Sequence, residues 1–318
     1  MALAFIFPGQ GSQSVGMGRD LAAAFAAARE VFEEVDETLK LKLSKLMFEG
    51  PAETLQLTEN TQPALMAHSL AVLRVIETEG GFSLADRVAL VAGHSLGEYS
   101  ALAAAGALRV AQAAALLRQR GQAMQAAVAP GEGAMAALLG VEMALAAEIC
   151  AEAAATPEGG SEVVGPANDN GGGQVVISGH KGAVDRAIEI AKARGVKRAL
   201  LLPVSAPFHC ALMAPAATVM QEALAACALA APVVPVVANV TAGKLTDPAA
   251  IRAALVEQVT ATVRWRESVA AMLEMGTDRF VEIGAGKVLA GLVKRIAPDA
   301  AARSVGTPAE IEAFLKEV

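Results

Sequence analysis

Val88-Ala89-Leu90-Val91-Ala92-Gly93-His94-Ser95-Leu96-Gly97-Glu98 is the stretch on which the fold turns. Val88–Ala92 is a short apolar run with strand character, and good helix formers begin after Gly97. Between them Gly93-His94-Ser95-Leu96-Gly97 matches G-x-S-x-G in the strand–turn–helix context that a nucleophile elbow requires. Such a turn holds its serine in strained backbone geometry and needs small flanking residues. The Ser95 oxygen then projects beyond the carboxyl end of a strand, beside the positive end of a helix. There it can attack a carbonyl, with the Leu96 amide stabilising the oxyanion.

Working outward, the 318 residues suffice for one large domain or two smaller ones. Hydrophobic residues make up 54% but aromatics only 3%, so the core must be built from Ala, Val, Leu and Ile. A net charge of −7 argues against a nucleic-acid binder, which carries a basic footprint. Cys150, Cys210 and Cys227 are too few and too scattered for a disulfide framework or a structural zinc site, which points to a reduced, cytoplasmic protein. The start lacks the charged opening and long apolar core of a signal peptide. The longest charge-free apolar stretch, roughly 223–243, is interrupted by Pro232, Pro235 and Asn239, which argues against a membrane span.

Upstream, Leu3–Phe7 reads as a buried strand followed by Pro8-Gly9-Gln10-Gly11-Ser12-Gln13 and a helix over about 21–38. A nucleotide-binding reading of this turn fails, because no Lys-Ser/Thr follows and position 14 is Ser. Its other use is to aim a backbone amide at a neighbouring site. Asn60–Ala64 reads as the start of a helix, with Thr61 as cap and Pro63 at an early position. A helix over about 110–128 places Arg120 near its apolar face and Arg118 away from it. An inward arginine needs a carboxylate or phosphate partner. Spacing leaves an internal salt bridge and a substrate anion equally open.

Downstream, strands at 134–139, 163–167, 174–178 and 197–203 alternate with helices at 142–154 and 183–193. The order β-α-β-β-α-β fits a ferredoxin-like unit, residues 132–202, inserted in a larger domain formed by 1–131 and 203–318. Beyond it come a helix at 215–226, a strand at 233–239, helices at 249–258 and 265–275, and a last strand at 280–283 leading into Gly284-Ala285-Gly286. Parallel strands separated by helices indicate an α/β sheet.

A serine nucleophile needs a base, and the chain has four histidines. His68 lies among apolar helix residues, His94 diverges from its neighbour Ser95 in a sharp turn, and His180 sits in the insert. His209 remains, in the loop where the chain re-enters the larger domain. No Asp or Glu stands out to complete a triad in the order Ser, acid, His. A backbone carbonyl can orient the base instead, leaving a Ser–His dyad. An acylating serine beside a buried arginine suggests an acyl group that ends in a carboxylate. A serine hydrolase using the same elbow is the competing reading, and a non-catalytic acyl-binding module a third.

The residues together resemble the malonyl-CoA:acyl carrier protein transacylases and the related acyltransferase domains of fatty acid and polyketide synthesis. The resemblance runs through F-P-G-Q-G-S-Q at 7–13, T-Q-P-A at 61–64, G-H-S-L-G-E at 93–98 and R-G-x-x-M-Q at 120–125. It continues through Q-V-V-I-S-G at 174–179, F-H at 208–209, N-V-T at 239–241 and V-E-I-G-x-G at 281–286, in order along essentially the whole chain. It implies an α/β-hydrolase-like core with a parallel sheet plus the ferredoxin-like insert, and an active site in the groove between them. Ser95 would carry the acyl group and His209 would be its base, held by the main-chain carbonyl of Gln258. The Gln10 and Leu96 amides would form the oxyanion hole, and Arg120 would clamp the malonyl carboxylate.

The resemblance implies a coenzyme A thioester and an acyl carrier protein as partners, and no metal or tightly bound cofactor. Two stretches depart from the family: Asn168-Asp169-Asn170 runs into Gly171-Gly172-Gly173 where relatives more often carry Ser-Pro, and Ala206-Pro207-Phe208 replaces the Val-Pro-Ser of some members. A Phe before the histidine resembles malonyl-using polyketide domains, where the ring excludes an α-methyl branch. Carrier proteins are acidic, so Lys181, Arg186, Lys192, Arg194, Lys197, Arg198, Lys294 and Arg295 are docking candidates.

Overall fold

The computed structural model describes residues 2–317. Among the described residues ten strands form two sheets: β1 (Ala2–Phe7), β2 (Leu90–Gly93), β3 (Gly133–Leu139), β4 (Val164–Asp169), β5 (Gln174–His180), β6 (Arg198–Leu201), β7 (Val236–Val237), β8 (Lys244–Leu245), β9 (Thr277–Ile283) and β10 (Ala301–Val305). The larger sheet has the order β10-β9-β1-β2-β7-β8. Its pairings are parallel except for the short β7–β8 ribbon at one edge. β1 sits in the middle with helices on both faces, which is why its side chains from Leu3 onward are all apolar and buried.

The register pairs Phe7 with Gly93, so β1 and β2 end side by side. The loop after β1 therefore runs against the elbow after β2. Gly9 makes this approach possible, since a Cβ there would stand 2.7 Å from the His94 carbonyl oxygen. Helices Thr58–Gly80 and Val110–Ala126 pack against each other on one side of the sheet. Gly121 permits it: a Cβ would meet Glu59 Cα at 2.5 Å and the Thr58 carbonyl at 2.8 Å. That contact sets Arg120 beside Gln62.

The smaller sheet, β4-β5-β3-β6, is antiparallel, with helices Met143–Ala153 and Lys181–Ala193 packed against it. Chain order β-α-β-β-α-β with this strand order is the ferredoxin-like arrangement. It has a core of its own that includes Leu138, Ile149, Ile177 and Val184. β4 is tied to the larger part by Asp169 N–H to Val263 O (2.9 Å), Val263 N–H to Ala167 O (2.8 Å) and an Arg266–Asp169 ion pair (2.8 Å). Among the described residues no helix is long and apolar enough to cross a membrane.

Four readings of the sequence need correction. The strand at 277–283 is not the last: β10 follows it at the sheet edge, then helix Pro308–Leu315. The helix expected over 21–38 breaks at Phe25, which is extended (φ −128°, ψ 125°). The strand expected over 233–239 shrinks to Val236–Val237. Thr61 is no cap: its helix starts at Thr58, and its hydroxyl donates to the Leu55 carbonyl at 2.6 Å. Pro63 thus lies inside the helix and leaves the Glu59 carbonyl without its usual amide. Arg118 takes that role, donating to Glu59 O at 3.0 Å while it pairs with the Glu59 carboxylate.

Candidate active site

Ser95 has φ of 54°, the left-handed geometry of an elbow. Gly93 and Gly97 cross within it so closely that a Cβ on Gly93 would fall 1.9 Å from the Gly97 backbone. Asn239, just beyond β7, staples the turn from behind. Its Oδ1 accepts the Ser95 amide (2.7 Å), and its Nδ2 donates to the Gly93 carbonyl (2.6 Å).

Ser95 Oγ lies 2.8 Å from His209 Nε2, and His209 Nδ1 lies 2.8 Å from the main-chain oxygen of Gln258. A carbonyl can only accept, so the proton sits on Nδ1 and Nε2 is free to receive the serine proton. His209 itself has φ of 58°. Its imidazole is pushed down to about 3, first by burial and then by the Arg120 cation, which keeps the resting ring neutral.

Arg120 is 1% exposed. Its Nη1 donates to Gln62 Oε1 (2.8 Å), and its Nη2 to Gln258 Oε1 (2.9 Å) and Ser95 Oγ (3.1 Å). All three acceptors are neutral, and among the described residues Arg120 makes no salt bridge to a carboxylate. After burial, the groups that act on the Arg120 charge are the Tyr99 phenol and then Glu98, also 1% exposed, whose carboxyl burial pushes up to about 7. One Glu98 oxygen accepts Asn239 N–H (3.0 Å) and Gln258 Nε2 (2.8 Å). The internal salt bridge that the sequence left open is therefore not formed among the described residues.

The Gln10 and Leu96 amides have no acceptor among the described residues, and both residues line the same cavity of about 100 Å³ as Ser95, His209, Arg120 and Phe208. Met135, Asn168 and Leu202 from the smaller sheet and its edges close the other wall, so the cavity lies between the two parts. A second cavity, of about 180 Å³, shares Gln10, His94, Asn168 and Leu202 with it and extends the groove past Asn170 and Gln174 to Val288. A larger cavity, about 330 Å³, lies elsewhere, around His68 and Gly284–Lys287, and holds none of these reactive groups.

All seven residues picked from the sequence, Ser95, His209, Gln10, Leu96, Arg120, Gln258 and Phe208, thus meet at one place. His94 makes no hydrogen bond to Ser95 Oγ, which lies against His209 instead. His94 reaches across the cleft to Asn170 Oδ1 (2.9 Å), with burial lowering its pKa. His68 is held by the Gly306 carbonyl (3.1 Å). His180 accepts the Val163 amide (2.9 Å) within the smaller sheet.

Among the basic candidates, Lys181, Arg186, Lys192 and Arg194 are paired with acids of the same subdomain. Residues the sequence did not single out are Gln62, Thr58, Glu98 and Asn239. They carry the hydrogen bonds behind the reactive groups, including a relay from Gln62 Nε2 to Thr58 Oγ1 (2.9 Å) and on to Gln10 Oε1 (3.0 Å). Gln62, Glu98 and Asn239 belong to the short motifs around Pro63, Ser95 and Val240, and Thr58 belongs to none.

A family model described as acyl transferase domain matches residues 4–308. The malonyl CoA-acyl carrier protein transacylase of Escherichia coli K12 is 49% identical over 313 residues, 98% of each chain. That of Bacillus subtilis 168 is 47% identical over 310 residues, covering 98% of this chain and 95% of the other. Among solved structures, an acyl-carrier-protein-S-malonyltransferase from Bartonella henselae superposes with a TM-score of 0.95 at 55% identity, over 100% of this chain and 99% of that one. A malonyl-transacylase solved in complex with its type II polyketide acyl-carrier protein gives 0.94 at 43% identity, with both chains fully covered.

Proposed function

Because this chain belongs to the acyl transferase domain family, as one of its malonyl CoA-acyl carrier protein transacylases, we propose roles for its residues in moving a malonyl group from coenzyme A to the carrier protein's phosphopantetheine thiol. The malonyl carboxylate pairs with Arg120, which puts the thioester carbonyl against Ser95. His209 Nε2 takes the Ser95 proton as Oγ attacks, and the oxyanion is held by the Gln10 and Leu96 amides, each such donor contributing about 3 kcal/mol. The C–S bond breaks and His209 returns the proton to the coenzyme A sulfur. The carrier's thiol then attacks the malonyl-serine ester by the same route in reverse.

One observation carries this reading: a buried arginine with only neutral partners stands 3.1 Å from the oxygen of a serine already bonded to a histidine. That arrangement asks for a substrate that brings its own carboxylate. The cycle uses no resident metal or cofactor, since serine, imidazole and two amides handle every proton and charge. Phe208 lines the same cavity, and in this reading its ring disfavours a branch at the malonyl α-carbon.

Docking of an acidic carrier falls to Lys197, Arg198, Lys294 and Arg295, which form no ion pair among the described residues. Three cysteine thiols and a coenzyme A substrate favour work in the cytoplasm, supplying extender units for fatty acid or polyketide synthesis. The test is to incubate the protein with malonyl-CoA and weigh it. A malonyl adduct on Ser95, discharged faster by holo carrier protein than by water, is expected. Discharge by water at the same rate would make it a hydrolase, and no adduct would remove Ser95 from the reaction.

A further inference from the structure

We infer that Arg120 restrains Ser95 until a carboxylate reaches the guanidinium, so that an acyl group carrying its own carboxylate unlocks the nucleophile that attacks it. The inference rests on the roles given above to Ser95 and Arg120.

Ser95 Oγ donates its proton to His209 Nε2 and accepts from Arg120 Nη2. The second bond takes up one of the two Oγ lone pairs and draws electron density from the oxygen, and it is charge-assisted, hence stronger than a neutral one. The same guanidinium faces His209 across a buried, low-dielectric space and opposes the imidazolium that must form as the proton moves. Arg120 thus weakens nucleophile and base together. Its other contacts do not relieve this, because Gln62 Oε1 and Gln258 Oε1 are neutral. A carboxylate laid against the guanidinium offers a better acceptor than a hydroxyl, withdraws Nη2 from Oγ and offsets the charge that His209 feels. A malonyl thioester brings that carboxylate; an acetyl thioester does not. Discrimination against acetyl then arises in the rate of acylation as well as in binding.

Malonyl is acetyl with a carboxylate in place of one methyl hydrogen, so acetyl-CoA and formate together supply the same groups in two pieces. In the tested step the Ser95 Oγ–carbon bond forms and the thioester C–S bond breaks. The proton passes from Oγ to His209 Nε2 and then to the coenzyme A sulfur. Formate is not consumed.

The experiment follows acetylation of Ser95 in the full chain by mass spectrometry, with acetyl-CoA in excess, in sodium formate or in sodium chloride of equal ionic strength. Formate is expected to speed acetylation saturably by about tenfold, the scale of one modest hydrogen bond. It is expected to slow malonylation, where it competes for Arg120. In Arg120→Met, acetylation in chloride should be faster than in the wild type and indifferent to formate. Wild-type acetylation that formate leaves unchanged or slows would overturn the inference, and that arm needs no variant to fold. A folded Arg120→Met that acetylates no faster than wild type would overturn it too. Malonyl-CoA labelling of Ser95 in the same preparation separates the failures. No malonyl adduct sinks the role assignment, whereas a normal adduct with no formate effect sinks only the restraint.

Discussion

Replacing Glu98 by glutamine separates what this carboxyl gives as an acceptor from what it costs as a buried charge. Burial pushes it from 4.5 up to about 7, partly offset by the Asn239 amide and Gln258 Nε2. Between those two values the folded protein keeps a proton that the unfolded chain has released. The stability this group contributes is therefore full below about pH 4.5 and is lost as pH rises through 7. The slope approaches 1.36 kcal/mol per pH unit, and the whole window amounts to roughly 3 kcal/mol. Glutamine has no proton to release, so its contribution is flat. Its carbonyl can still accept from Asn239 N–H and Gln258 Nε2, and whatever its amide nitrogen costs in the other oxygen's place is the same at every pH. His209 and His68, which burial holds at about 3 and about 4, add a slope of opposite sign, with stability lost as pH falls below 6.5. Both proteins share it, so it cancels in the difference. Urea denaturation of wild type and Glu98→Gln from about pH 5 to 9 measures that difference. It should move by roughly 3 kcal/mol in the variant's favour. Parallel profiles would refute the claim that burial raises the pKa of this carboxyl beside Arg120.

Gly121→Ala forces a methyl group into the Glu59 backbone; it should cost about 1–3 kcal/mol in thermal unfolding and raise KM for malonyl-CoA as Arg120 shifts from Gln62. Phe208→Ala enlarges the cavity beside Ser95, and if that space receives the acyl group, the methylmalonyl-to-malonyl ratio of kcat/KM should rise by about tenfold or more in competition with mixed thioesters. Because the His209 ring is already neutral well below pH 6.5, the acid limb of kcat/KM for malonyl-CoA should lie far below that of an ordinary histidine. It should climb toward 6.5 in Arg120→Ala, since removing the cation lets the imidazole hold its proton more easily.

The sequence made the elbow legible because strand, glycine-bounded turn and helix announce themselves locally, and a serine between them has one obvious use. His209 emerged by elimination among four, and Arg120 from its place on a helix face. The supporting polar residues did not emerge. Gln62 reads as one more polar residue before a proline, and Glu98 as an ordinary first-turn acid, until α-helix packing at Gly121 and the return of the chain through Asn239 bring them to Ser95. Edges were misread for a related reason. β10 is Ala-Ala-Arg-Ser-Val, half-buried with only its last residue in the core, so it carries no strong apolar pattern; its partner β9 defines it. Pro63 misled because prolines favour helix starts, and only the Arg118 side chain, far along the chain, makes an internal position tolerable.

The absence of a triad acid follows from the arginine. A carboxylate placed to orient His209 would share one buried space with Arg120, only a few ångströms away. At low dielectric the two would pair, and the guanidinium would no longer be available to a substrate carboxylate. The main-chain oxygen of Gln258 fixes the imidazole tautomer without introducing that charge, while the Gln258 side chain holds Arg120 through Oε1 and the elbow through the Ser95 carbonyl (3.1 Å). Glu98, the acid that sits nearby among the described residues, has its ionisation pushed up to about 7 by burial and spends one oxygen on Asn239 and Gln258. A neutral orienting group, an acid whose ionisation burial delays and an arginine without a salt bridge are thus consistent with one constraint, that in the proposed cycle the substrate brings the negative charge that pairs with Arg120.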